Sequence, residues 1–222
     1  MYTLATRKVY GLTFILLLSS LDGHSAIVAG QTIGVDFGTT AATNNFNSTN
    51  ATGSFVMSSL IDTDGSTVSG VELSVAGIDF SNADRSIGAP SGAEPVVFNE
   101  SNLLDFSGGI GSPVNTLTLN FTGLDDGLRY ELDLVSAFDG RNLAVTVSAG
   151  GDSIIIDTTS VNPTARFAEL TSSGGELLMT VQSSDVVVIN ALALTAASVP
   201  EPGSVSLLGL GSLLFLLKRR RN

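Results

Sequence analysis

The 222-residue sequence contains no cysteine, no tryptophan and a single histidine, His24. Without cysteine there are no disulfides, zinc–thiolate sites or thiol nucleophiles. With its one histidine at position 24, the rest of the chain lacks the commonest general base. Positive charge is also scarce: ten Lys and Arg face 21 Asp and Glu, a formal net charge of −11. That balance excludes a nucleic-acid binder, which needs clustered Lys and Arg to neutralise phosphate. Only 14% of residues are charged while 43% are hydrophobic. The mean hydropathy of +0.37 is high for so acidic a chain, and its two ends explain much of it.

Residues 1–30 have the form of a secretory signal peptide. Arg7 and Lys8 make a positive start, and Val9–Leu18 is an apolar run too short to span a bilayer comfortably. Ala26, Ala29 and Gly30 then supply small residues, with cleavage after Ala26 or Ala29 open. The expected local structure is a signal helix.

The C-terminal end has three parts in order. Val199-Pro200-Glu201-Pro202 comes first, then the apolar run Val205–Leu217, then Lys218-Arg219-Arg220-Arg221 before Asn222. The apolar run falls short of the ~20 residues of a usual spanning helix. Gly209 and Gly211 weaken its helix further. The basic cluster would remain on the cytoplasmic side. These three parts resemble the C-terminal sorting signal of PEP-CTERM proteins, a resemblance that covers residues 199–222. It implies export, a short membrane helix, transient residence in the inner membrane, and processing by an exosortase together with the secretion machinery. It further implies release or attachment at the surface of a bacterium that makes exopolysaccharide.

Residues 31–198 remain. They hold 13 Asp and 6 Glu against Arg85, Arg129, Arg141 and Arg166, with no lysine, a net charge of −15. Such a surface repels anionic partners. Apolar and polar residues alternate in Val71–Val75, Leu117–Phe121, Tyr130–Leu134 and Leu143–Val147, the pattern of half-buried strands. More continuous apolar runs lie at Ile33–Phe37, Phe55–Met57, Val96–Phe98, Ile154–Ile156, Leu177–Val181 and Val186–Leu194. Turn signals separate them: Asp64-Gly65, Ala76-Gly77, Gly108-Gly109, Asp126-Gly127, Asp139-Gly140, Gly150-Gly151 and Gly174-Gly175. The expectation is an all-β domain of about ten strands, an antiparallel β-sandwich. Phrases such as Ile33–Gly38, Phe121–Leu124 and Val188–Leu192 resemble jelly-roll, galactose-binding-like ectodomains found before PEP-CTERM tails, which implies a jelly-roll-like fold.

Chemistry-bearing candidates are few. Gly151-Asp152-Ser153-Ile154 resembles the nucleophile block of GDS-type esterases, but no histidine accompanies it, and a Gly-Gly-Asp-Ser turn is the better reading. Asp62-Thr63-Asp64-Gly65 is the tightest acidic cluster, a D-x-D-G fragment. It offers two carboxylates to a structural calcium ion or makes an Asx turn. Asp125-Asp126-Gly127 fits a hairpin turn. Asn47, Asn50, Asn99 and Asn120 each begin a glycosylation tripeptide, which carries little weight in the bacterial host that the resemblance implies. Phe46 is the best candidate for an exposed aromatic that could meet carbohydrate, although a loop residue tucked against the sandwich end is the better reading.

The leading functional expectation is an exported, non-enzymatic surface or matrix protein associated with extracellular polysaccharide. The alternative is a lectin-like carbohydrate-binding module, calcium-assisted or not. No organic cofactor and no nucleic-acid partner are expected.

Overall fold

The computed structural model describes residues 27–39, 45–82, 98, 106–110, 115–138, 143–160 and 163–199. The expected signal helix, the short C-terminal helix, Asp139-Gly140 and most of Val96–Phe98 lie outside these residues. Among the described residues there is no helix and there are fourteen strands. They are β1 (Thr32–Phe37), β2 (Asn47–Thr49), β3 (Gly53–Ser58), β4 (Glu72–Ile78), β5 (Phe80–Asn82), β6 (Phe106–Ile110) and β7 (Asn115–Thr122). The second half of the chain adds β8 (Leu128–Val135), β9 (Ala144–Ala149), β10 (Asp152–Asp157), β11 (Thr164–Leu170), β12 (Leu177–Ser183), β13 (Val186–Ile189) and β14 (Ala191–Ser198).

Two large sheets form a sandwich. The five-stranded sheet runs β11-β8-β14-β1-β2, and the six-stranded sheet runs β10-β9-β12-β7-β4-β3. A small third sheet, β13-β6-β5, joins them. Alternation decides which residues meet. Leu117, Leu119 and Phe121 of β7 point inward with Leu73 and Val75 of β4 and Met179 and Val181 of β12. They share one buried cluster with Ile33, Val35 and Phe37 of β1, Leu132 and Leu134 of β8, and Leu192 and Leu194 of β14. The chain passes between the large sheets at β2–β3, β7–β8, β8–β9, β10–β11 and β11–β12, as sandwich connections commonly do.

Several expected features differ. Asp125–Gly127 is not a hairpin turn, because β7 and β8 lie in different sheets and the segment crosses between them. Tyr130 holds that crossing: its buried hydroxyl donates to the Asp125 carbonyl (3.0 Å) and accepts the Asp125 N–H (2.9 Å). Val186–Leu194 is not one strand. It breaks at the fully buried Asn190, whose Oδ1 accepts the Ala137 N–H (2.7 Å), so β13 and β14 enter different sheets. Ala76-Gly77 lies inside β4, where Gly77 takes a φ of +93° opposite an irregular register at Gly53–Phe55. The sandwich is also not wholly antiparallel, since β2 pairs parallel to β1 at the sheet edge. The Asn47 carboxamide secures that edge by donating to the carbonyls of Gly34 and Ile61 and accepting the Ile61 N–H, each at 2.8 Å.

Gly108-Gly109, expected as a turn, is the middle of β6, paired with Val188 and Val187 of β13. The reason is space. A Cβ on Gly108 would strike the Val187 carbonyl oxygen and stand 2.8 Å from the Phe80 ring, and one on Gly109 would strike the Gly77 carbonyl oxygen. The two glycines therefore let the small sheet lie directly against the bulged end of β4. Gly108→Ala is expected to destabilise the fold by roughly 1–3 kcal/mol through overpacking. Urea unfolding checks this, and a change near zero would show that the small sheet can yield.

Candidate functional site

The outer face of the five-stranded sheet is covered rather than open. Register places Gly34, Ala193, Asp133 and Arg166 in one row and Asp36, Ala191, Val135 and Thr164 in the next. Small residues leave a socket, and Phe46 fills it: a Cβ on Gly34 would stand 2.6 Å from the ring. Phe46 is only 6% exposed and meets Phe98 edge-on with centroids 6.0 Å apart. Phe46 is thus a cover for this face and not an exposed platform for sugar, because the absent side chain of Gly34 draws the ring down.

Two acids, Asp36 and Asp133, are buried on the same face. Arg166 Nε lies 3.1 Å from Asp133 Oδ1, and its guanidinium also bonds Glu131. Burial works against the charged arginine, but Asp133 and Glu131 outweigh it and hold Arg166 above its ordinary value. An arginine so engaged is not offered to an anionic ligand.

Asp62 makes the Asx turn that the D-x-D-G fragment offers. Asp62 is 3% exposed, and its Oδ1 accepts the N–H groups of Asp64 (3.1 Å) and Ser66 (2.8 Å). Its Oδ2 accepts the Gln31 side-chain amide at 2.9 Å. Asp62 is therefore spent on that turn and on fastening the chain before β1. Among the described residues no three His, Cys, Asp or Glu side chains converge on a possible metal position.

Gly150-Gly151 turns β9 into β10 with φ of +59° and +93°, values suited to glycine in a two-residue hairpin. Ser153 lies beyond that turn. It sits on β10 opposite Ser148, and their hydroxyls bond at 2.7 Å. Asp126 has a role that its local sequence does not announce. Its Oδ1 accepts the Ser172 hydroxyl (2.6 Å) and the Gly175 N–H (2.9 Å), and its Oδ2 accepts the Gly174 N–H (2.9 Å). This carboxylate clasps the β11–β12 connection to the β7–β8 crossing.

The outer face of the six-stranded sheet carries no charged side chain in three successive register rows, with Glu72 and Asp157 in the rows that flank them. One register row reads Val56, Ser74, Asn120, Leu178 across β3, β4, β7 and β12. The next holds Ala76, Thr118, Thr180, Ser148 and Ser153, and a third Thr116, Gln182, Thr146 and Ile155. A depression of about 270 Å³ opens at the β3–β4–β7 end, lined by Ser54, Phe55, Val56, Ser74, Val75, Ala76, Thr118 and Asn120.

The chain leaves the fold along β14, which stays in register with β8 to its last pair, Ser198 opposite Leu128. Residues 198–221 match the PEP-CTERM protein-sorting motif. The motif implies an exported protein whose membrane-anchored precursor is cleaved by an exosortase. Val199 is the last described residue; Pro200, Glu201, Pro202 and the basic cluster Lys218–Arg221 lie beyond. No curated protein matches the chain. Among solved structures it is similar to the protein YXIM of Bacillus subtilis, with 14% identity and a TM-score of 0.40 over 75% of this chain and 40% of that one. It thus spans less than half of the Bacillus protein. It is also similar to TmCBM61, solved with β-1,4-galactotriose, with 14% identity and a TM-score of 0.29 over 56% of this chain and 81% of that one. A third is BtGH115A, a 4-O-methyl-α-glucuronidase with specificity for decorated arabinogalactans. There the identity is 16% and the TM-score 0.31 over 72% of this chain and 19% of that one.

Two outcomes are expected. The Ser172 hydroxyl bond, then the Gly175 and Gly174 N–H bonds, hold Asp126 below its ordinary value against the cost of burial. A depressed folded-state pKa gives stability that is present above the unfolded value, about 3.9, and lost as pH falls through the lower folded value. Asp126→Asn should therefore flatten the acid limb of a stability-versus-pH curve. An unchanged acid limb would show that the clasp is electrostatically idle. Added calcium should leave the thermal unfolding midpoint unchanged, since Asp62 is already engaged; a calcium-dependent rise would restore the cation reading.

Proposed function

We propose that the protein is a non-enzymatic component of the cell surface or extracellular matrix, associated with exopolysaccharide once its tail has been removed. The observation that carries the reading is the junction at residue 198. The last strand ends on Ser198, and the sorting motif begins on the same residue. Processing in the tail would release or attach a complete sandwich without cutting into it. Glu201 and the flanking prolines would present the site to the exosortase, and Lys218–Arg221 would hold the precursor at the cytoplasmic side of the membrane.

A non-enzymatic role accords with the residue types present. Residues 31–198 have neither histidine nor cysteine. Ser153, the one serine in an esterase-like phrase, is bonded to Ser148 across a hairpin. A lectin-like module is the second reading, favoured by the uncharged rows on the outer face of the six-stranded sheet.

Intact-mass analysis of the protein recovered from its exosortase-competent host tests the proposal. The expected mass lacks the signal segment and the chain beyond the Pro-Glu-Pro motif. A mature protein that retains Lys218–Arg221 would overturn it.

A further inference from the structure

We infer that the depression between β3, β4 and β7 is a binding site for a neutral polysaccharide chain, laid across the strands on the row Val56–Ser74–Asn120–Leu178. The inference rests on the association with polysaccharide proposed above and adds the site and the ligand class. Val56 and Leu178 are 56% and 54% exposed, and they stand at the two ends of this row. Between them lie two short polar side chains, Ser74 and Asn120, with Ala76 and Thr118 in the next row. The aliphatic side chains of Val56 and Leu178 close the ends of a trough floored by short side chains, and the depression at its β3 end has a mainly apolar lining. With neighbouring strands about 4.8 Å apart, four strands give the trough a length of about 14 Å. That suits a few sugar rings rather than a small metabolite.

The chemistry of the lining selects the ligand. The mainly apolar lining suits the C–H faces of a pyranose, and its few hydroxyl and carboxamide groups both donate and accept. No charged side chain occupies these rows, in a region with a net charge of −15. An anionic polymer would meet repulsion and no compensating cation. A second observation points the same way. Asn120 lines the depression, and its Oδ1 is buried without a hydrogen-bond partner. Such an acceptor is costly to leave unmade, and a small rotation of the carboxamide toward the depression would let a ligand hydroxyl satisfy it.

Affinity electrophoresis of the protein recovered from its exporting host tests the site, with dextran, a galactan and a neutral β-glucan as probes and alginate as the anionic control. At least one neutral polymer should retard the protein, and alginate should not. Ser74→Trp, which fills the trough, should abolish retardation. Asn120→Ala and Leu178→Ser should each weaken it, by roughly tenfold if about one good hydrogen bond or wall contact is lost. If Ser74→Trp fails to fold, the other two variants carry the test, with unchanged thermal unfolding as their control. Lack of retardation by every neutral polymer, retardation by alginate alone, or equal retardation of all variants would overturn the inference. So would self-association that these variants abolish, since the face would then be covered by a second copy. The mass spectrum of the same sample separates the two proposals: a processed tail without glycan binding defeats only the trough, and an unprocessed tail defeats the surface-delivery reading.

Discussion

The pairing of the last strand with the first is the constraint on which the structure depends. β14 lies between β1 and β8 in the five-stranded sheet, antiparallel to both. Ala191–Leu194 are fully buried, and Leu192 and Leu194 supply the middle of the core. Thr32 and Thr195 bond through their hydroxyls across a separation of 163 residues. The centre of this sheet cannot close until the end of the domain has arrived, and pairings that distant form late because the loop must be closed first.

The same strand divides the molecule into fold and address. Because β14 remains paired to Ser198, the sorting motif has no spacer from the sandwich. The two outer faces of the sandwich then differ in kind. One is closed by Phe46 over Gly34 and holds its acids internally, with Arg166 engaged by Asp133 and Glu131. The other has three rows without a charged side chain. The acidity of residues 31–198 leaves three successive rows of this face uncharged, with Glu72 and Asp157 in the rows that flank them.

The sequence is legible where side-chain period and burial agree. Leu117–Phe121 and Leu177–Val181 read as strands and are strands, because buried residues alternate with more exposed ones; Tyr130–Leu134 keeps the alternation of residue type although Asp133 on its outer face is buried too. Local turn chemistry misleads where distant backbone needs space: Gly108-Gly109 and Gly77 are strand residues because neighbouring carbonyls leave no room for a Cβ. β11 is hidden because its bulge at Phe167–Leu170, with Glu169 at φ +58°, breaks the alternation. The role of Asp126 cannot be read from Asp-Asp-Gly, since its partners lie 46 to 49 residues away. The covering role of Phe46 is illegible for a related reason, as nothing near it in sequence marks Gly34 as its socket. The sorting signal is fully legible, being read as a linear address.

If the fold ends with β14, as proposed, loss of the residues beyond it leaves the sandwich unchanged. Hydrogen exchange on the exported protein, before and after loss of its tail, tests this most directly. The account predicts that β14 amides from Leu192 to Ala196 are protected as strongly as those of β8, and that the pattern is the same in both forms. Rapid exchange along β14, or protection lost when the tail is removed, would contradict it.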